Sequence, residues 1–225
     1  SLDDIDLDAD PDGDRIVDVP STVDPLFQGL FTRYTAVETS AGRIHILAQS
    51  GVSDAKLARS RSILALHLTP VAGSTQGGSK EDVITAMVQR GALAAIFNDT
   101  ASIDPANVEV ADLIAAVQDT SVLLPADRII LEGSSQYAAT LPAEDNTFGV
   151  LAALVHRTGL VHARPEFASQ LDDLAASAAA DGLFTPASQA IASEGTAAFL
   201  ITAMDVHSGV FGHDPSGDGI AAGTA

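Results

Sequence analysis

Tyr34-Thr35-Ala36-Val37-Glu38 and Arg43-Ile44-His45-Ile46-Leu47-Ala48 flank the turn Ser40-Ala41-Gly42, and the reading of this hairpin decides the fold. Both flanks alternate with the period of two expected of strands, and the small residues between them supply the connection. Downstream, Ser53 caps a helix predicted to run to about Leu68, with Leu57, Leu64 and Leu68 along one face. Ser79 with Asp82 three residues on reads as a capping box for a helix that ends at Gly91. Ala92 to Phe97 is a short apolar run bounded by Gly91 and Asn98-Asp99, the pattern of a buried strand. Residues 108–118 read as a helix. Val122-Leu123-Leu124 and Arg128 to Glu132 read as strands around Pro125-Ala126-Asp127.

The second half has a different character. Asp145 to Thr158, Pro165 to Ala180 and Glu194 to His207 carry helical periodicity. Gly159 and Gly182 read as helix stops, and Thr185-Pro186 as a helix start. The expected fold class is α+β, with a small mixed sheet in the first half packed on helices of the second half. The expected organisation is an acidic leader over residues 1–22, one domain over 23–213, and a turn-rich tail over 214–225.

Composition narrows the function classes. The 225 residues are 46% hydrophobic but only 4% aromatic, so the core relies on Ala, Val, Leu and Ile. A net charge of −19 excludes the phosphate-neutralising role of a nucleic-acid binder and disfavours an anionic membrane surface. No apolar run is long enough for a membrane helix, so no membrane insertion is expected. Cysteine is absent, which removes disulfides, thiolate zinc sites and cysteine catalysis together.

Most of the acidity that stands out lies in Asp8-Ala9-Asp10-Pro11-Asp12-Gly13-Asp14, with Asp18 just beyond. Alternate carboxylates on a short loop match the ligand spacing of a calcium site, with glycine at the bend. The twelfth position, Val19, lacks the bidentate Glu of an EF-hand, and Pro11 interrupts the pattern. Asp8, Asp10, Asp12, Asp14 and Asp18 are the calcium candidates; a solvated acidic leader is the competing reading. Such a loop makes most sense outside cells, where calcium is abundant. A start at Ser1 in an acidic segment fits a mature end left after a secretion leader is removed.

Gly42 to Gln49, Gly51 to Asp54, Leu68 to Ser74, Ile130 to Ser134, Phe148 to Gly159 and Glu194 through Asp205 to Gly212 together resemble a family of secreted bacterial zincin-like proteins. The resemblance implies a metallopeptidase-like scaffold with a metal-site helix near residues 148–158. By position it implies His156 as a metal ligand and Glu194 as the Glu opening a later helix, with Asp205 in the closing segment. The departures are Gly149, Val150 and Ala153, where the family carries acidic and histidine residues. Positions 152 and 153, where a His-Glu pair would fall, are both Ala. A catalytic zinc needs three protein ligands and an open position, and His156 with Glu194 supplies two, a vestigial set. A helix-end histidine near the C-terminal dipole is the structural alternative for His156.

Other motifs are weaker. Gly73 to Lys80 lacks the Gly-Lys-Ser/Thr order of a phosphate loop, and no Gly-x-Ser-x-Gly elbow is present. His207 and His213 are spaced to share a surface metal or to stand alone in solvent. The expected protein is secreted or at the cell surface and non-catalytic, acting in extracellular structure, self-assembly or binding. Its expected partners are its own copies or an extracellular surface component, and its expected cofactor is calcium. The alternative is an active zinc-dependent metallopeptidase with an atypical ligand set.

Overall fold

The structure is a computed structural model that describes residues 1–10, 12–70, 79–131, 147–170 and 173. The hairpin forms as its alternation dictates. Strand β2 (Arg33–Thr39) pairs antiparallel with β3 (Gly42–Ala48), with Thr39 opposite Gly42 and Ala36 opposite His45. Gly42 has φ +137°, and a Cβ there would sit 2.7 Å from Val88 Cγ1, so the turn exit requires glycine.

Strand β4 (Leu93–Phe97) lies parallel to β3, and β5 (Ser121–Pro125) lies parallel to β4. A two-residue strand, β1 (Val17–Asp18), pairs antiparallel with β2 at the opposite edge. The sheet order is therefore β1-β2-β3-β4-β5, the order of the chain. The fold is a mixed α+β arrangement built on one five-stranded mixed sheet.

Helices cover both faces. α1 (Pro25–Gln28) is a single turn capped by the Asp24 carboxylate, which accepts from the Leu26 amide. α2 (Asp54–His67) and α3 (Glu81–Gln89) link β3 to β4, and α4 (Val108–Val117) links β4 to β5. After these comes α5 (Thr147–Val155), which continues without a break into a π-helical segment, His156–Leu160, and a final turn, Val161–Ala163.

Strand alternation sorts the apolar residues into two clusters. Ile44, Ile46, Ala94, Ile96, Val122 and Leu124 pack against Leu57, Leu64, Val83, Met87, Leu151 and Leu154 of α2, α3 and α5. On the other face Tyr34, Leu47, Leu93, Ala95 and Phe97 meet Val110 and Leu113 of α4, with Phe31 and the leader residues Ile5 and Leu7. Phe31 and Phe97 meet edge to face at 5.6 Å. The two crossovers step the same way across the sheet but lie on opposite faces, so they are of opposite hand. One of them departs from the right-handed rule for parallel connections.

Four expectations are corrected. The N-cap of α3 is Lys80 rather than Ser79; the Ser79 Oγ accepts from the Glu81 amide at 3.4 Å, and Asp82 turns to Arg164 instead of closing a capping box. Arg128 to Ile130 do not form a strand. Ala126–Arg128 is a 3₁₀ turn, and Ile129 and Ile130 bury their side chains without joining the sheet. Gly159 does not stop its helix. A Cβ there would stand 2.6 Å from Val83 Cγ1 and 2.8 Å from Met87 Cγ, so this glycine serves the close approach of two helices. The leader is not merely solvated, because Ile5, Leu7 and Ile16 are buried. The predicted segments beyond residue 173, the tail included, lie outside the described residues.

Candidate functional site

The acidic loop sits where the leader rounds the β1–β2 edge of the sheet. Ile5 and Leu7 belong to one core cluster and Ile16 to the other, so the chain between them passes from face to face. The loop winds around one carboxylate: Asp10 Oδ1 accepts from the Asp12 amide at 3.0 Å, and Oδ2 accepts from the Arg15 amide at 2.6 Å. Gly13 at φ +75° and Arg15 at φ +62° make the tight winding possible. The Asp14 carboxylate accepts from the Ile16 amide at 2.9 Å.

The Asp10 and Asp14 carboxyl groups lie close enough to perturb each other's ionisation. Backbone donation, chiefly from Asp12, holds the Asp10 carboxyl below the usual range. Asp14 is pushed up, first by desolvation and then by its contact with Asp10. The loop is anchored from the core. Arg61 of α2 donates to the Asp14 carbonyl at 2.7 Å and to Thr35 Oγ1 at 2.8 Å, while Thr35 Oγ1 donates to the Arg15 carbonyl at 2.8 Å.

The five calcium candidates are thus only partly assembled. Asp10 and Asp14 meet. Asp8 lies 3.7 Å from the Arg15 guanidinium, which itself binds Glu38 at 2.6 Å. Asp12 contributes its amide, and Asp18 is drawn away to Arg33 at 2.9 Å. Among the described residues no three His, Asp or Glu side chains form a group able to hold a metal ion.

The zinc candidates fare differently. His156 opens the π-helical segment and is buried, so it is neither at a helix end nor at the surface. Single π turns inside helices often accompany functional positions, but the nearby cluster of Val155, Leu160 and Leu151 is apolar. Glu194, Asp205, His207 and His213 lie outside the described residues, as does most of the glycine-rich loop before Ser79.

Two further polar groupings are not anticipated from the sequence. At the C-terminal ends of β3, β4 and β5, where open parallel sheets bind ligands, the polar side chains are engaged mainly by neighbouring backbone groups. Asn98 Oδ1 accepts from the Gly51 amide at 2.8 Å, Gln49 Oε1 accepts from the Asn98 amide at 2.9 Å, and Thr100 Oγ1 donates to Asp127 at 3.1 Å. Lys56 Nζ donates to the Ala126 carbonyl.

The second grouping lies under the leader. The Tyr34 hydroxyl is 2.9 Å from His45 Nδ1, and His45 Nε2 is 3.6 Å from Asp3 Oδ1. Arg43 donates to the carbonyls of Asp3 at 2.9 Å and Ile5 at 2.6 Å. The signal for it is present in the hairpin: pairing Thr39 with Gly42 makes Tyr34 and His45 diagonal neighbours on one face. Desolvation pushes the Tyr34 phenol up to about 12. Burial lowers the His45 imidazole, outweighing the pull of Asp3. Comparison with known protein families, curated proteins and solved structures finds no match to this chain.

Proposed function

We propose that this chain is a secreted or cell-surface protein that acts without catalysis, in extracellular structure, self-assembly or binding, with calcium held in its acidic leader loop. The zincin-like scaffold inferred from residue resemblance belongs to this proposal. A helix carrying His156 against a mixed sheet is compatible with it. The observation that carries the proposal is the Asp10–Asp14 carboxylate pair on a loop pinned to the core by Arg61 and Thr35.

Two ionised carboxylates in contact repel one another, and a hard divalent cation with oxygen ligands relieves that repulsion. Asp8 and Asp12 carry further carboxylates on the same loop. A chain of net charge −19 repels its own copies, so calcium at the loop also lowers the electrostatic barrier to assembly. Zinc is the second reading: of the implied ligands the described residues include the buried His156, and a hydrolytic centre needs three ligands and an open position.

Calorimetric titration of the whole protein with calcium, against magnesium, tests the cation. The expected result is one calcium per chain with a dissociation constant of about 10⁻⁴–10⁻³ M, as in extracellular modules. The double substitution Asp10→Asn with Asp14→Asn should abolish that heat. Sedimentation with millimolar calcium against chelator tests assembly. Absence of calcium heat, or a protein carrying stoichiometric zinc with chelator-sensitive proteolysis, would overturn the reading.

A further inference from the structure

The leader segment 1–9 lies across the sheet face on which Tyr34, His45 and Leu47 stand. Its attachment combines two buried apolar side chains, Ile5 and Leu7, with a small set of polar bonds gathered on one histidine and one arginine. We propose that residues 1–9 are a proton-released strap: protonation of His45 in mild acid undocks them from the sheet. This stands independently of the calcium proposal.

Neutral His45 accepts the Tyr34 proton at Nδ1 and directs its Nε2–H toward the Asp3 carboxylate. The Arg43 guanidinium is engaged by the Asp3 and Ile5 carbonyls and by Glu38. Protonated His45 becomes a donor at both nitrogens. The Tyr34 oxygen then faces a donor at His45 Nδ1, and its own proton loses its acceptor in a buried place. An unpaired buried donor is costly, and so is a second positive charge beside Arg43.

The charged and titratable groups facing His45 are Asp3 from the strap, Tyr34 from β2, Arg43 from its own strand and Glu38 beyond Arg43; β4 presents Leu93. Asp3 favours the imidazolium, but it does so at 3.6 Å and from a largely exposed side chain. Burial dominates. Undocking the strap restores solvent to the imidazole and removes the conflict.

The sign follows. The docked form binds the proton less well than the open form, so docking is full above the ordinary histidine value of 6.5 and weakens as pH falls below it. The docked-to-open ratio should fall by up to about tenfold per pH unit in that window.

Because the chain has no cysteine, a pair of spin labels can be placed cleanly. Labels on Asp4→Cys and Asp112→Cys, both exposed positions, report the distance from strap to α4. The expected result is one narrow distance at pH 7.5 and a growing broad population toward pH 5.0, with unchanged far-ultraviolet circular dichroism. His45→Gln keeps an acceptor for Tyr34 but cannot take the proton, and should stay narrow at both values. A native distribution that does not change between pH 7.5 and 5.0 overturns the proposal without reference to any variant. A His45→Gln protein that opens as the native one does overturns it equally.

Discussion

On one face of the sheet Ile44, Ile46, Ala94, Ile96, Val122 and Leu124 meet the apolar stripes of α2, α3 and α5; on the other, part of the cover is a leader held by Arg43, His45 and Tyr34. The first face gains its stability from area removed from water, a term indifferent to pH and little affected by salt. The second adds polar bonds whose strength depends on protonation and, at the exposed ion pairs, on ionic strength. One domain thus carries a permanent side and a conditional side.

The comparison breaks most visibly in the core. Ile46→Ala should cost about 2–5 kcal/mol in denaturant unfolding, because Ile46 is fully buried among close-packed side chains. Leu7→Ala, also buried but on the strap, should cost less in global stability while freeing residues 1–9 in hydrogen exchange. Equal global costs would mean that both faces unfold as one unit. Gly159→Ala is the next test. Its added Cβ meets Val83 and Met87 below 3 Å, so about 1–3 kcal/mol of overpacking is expected, measured by chemical denaturation. An unchanged midpoint would show that α3 and the π segment can move apart freely.

On the conditional side, Arg43→Met should cost about 1–2 kcal/mol, since the Asp3 and Ile5 carbonyls lose their donor. Its thermal midpoint should fall more at pH 7.5 than at pH 5.0, where the strap is already loosened. A smaller effect is expected at Asp82, which Arg164 holds below the usual carboxylate range through paired hydrogen bonds. That stabilisation is present above the unfolded value of 3.8 and is lost as pH falls through the lower folded value, so Asp82→Asn should flatten this part of the acid limb. The smallest effect belongs to Asp18→Asn, about 0–1 kcal/mol, because Arg33 keeps Asp54 at 2.8 Å and Asp18 is largely exposed.

Legibility in the sequence follows the same division. The hairpin, α2, β4 and α4 are readable because periodicity and punctuation agree there. Gly159 misleads because glycine both ends helices and admits close neighbours, and the neighbour, α3, is more than seventy residues away in the chain. Ile129 and Ile130 look like a strand because apolar content alone does not say whether a backbone pairs. The acidic leader hides its anchors: Ile5 and Leu7 are isolated among aspartates, and only the register of β2 with β3 puts His45 and Tyr34 beneath them. Of the metal candidates, spacing groups five aspartates, but does not tell that Asp10 and Asp14 are the two that meet or that Arg33 and Arg15 draw Asp18 and Asp8 aside.

The sheet order, identical to the chain order, has a consequence during synthesis. Each strand after the first emerges with a neighbour already made, but the parallel pairings, His45 with Leu93 and Leu93 with Ser121, span far more chain than the hairpin and form more slowly. Residues 1–48 can close their own side early, whereas β4 and β5 wait for Leu151 and Leu154 to arrive roughly thirty residues after β5. A nascent chain that stalls in that interval would leave a sticky, half-clad sheet, the species most exposed to chaperone capture or aggregation.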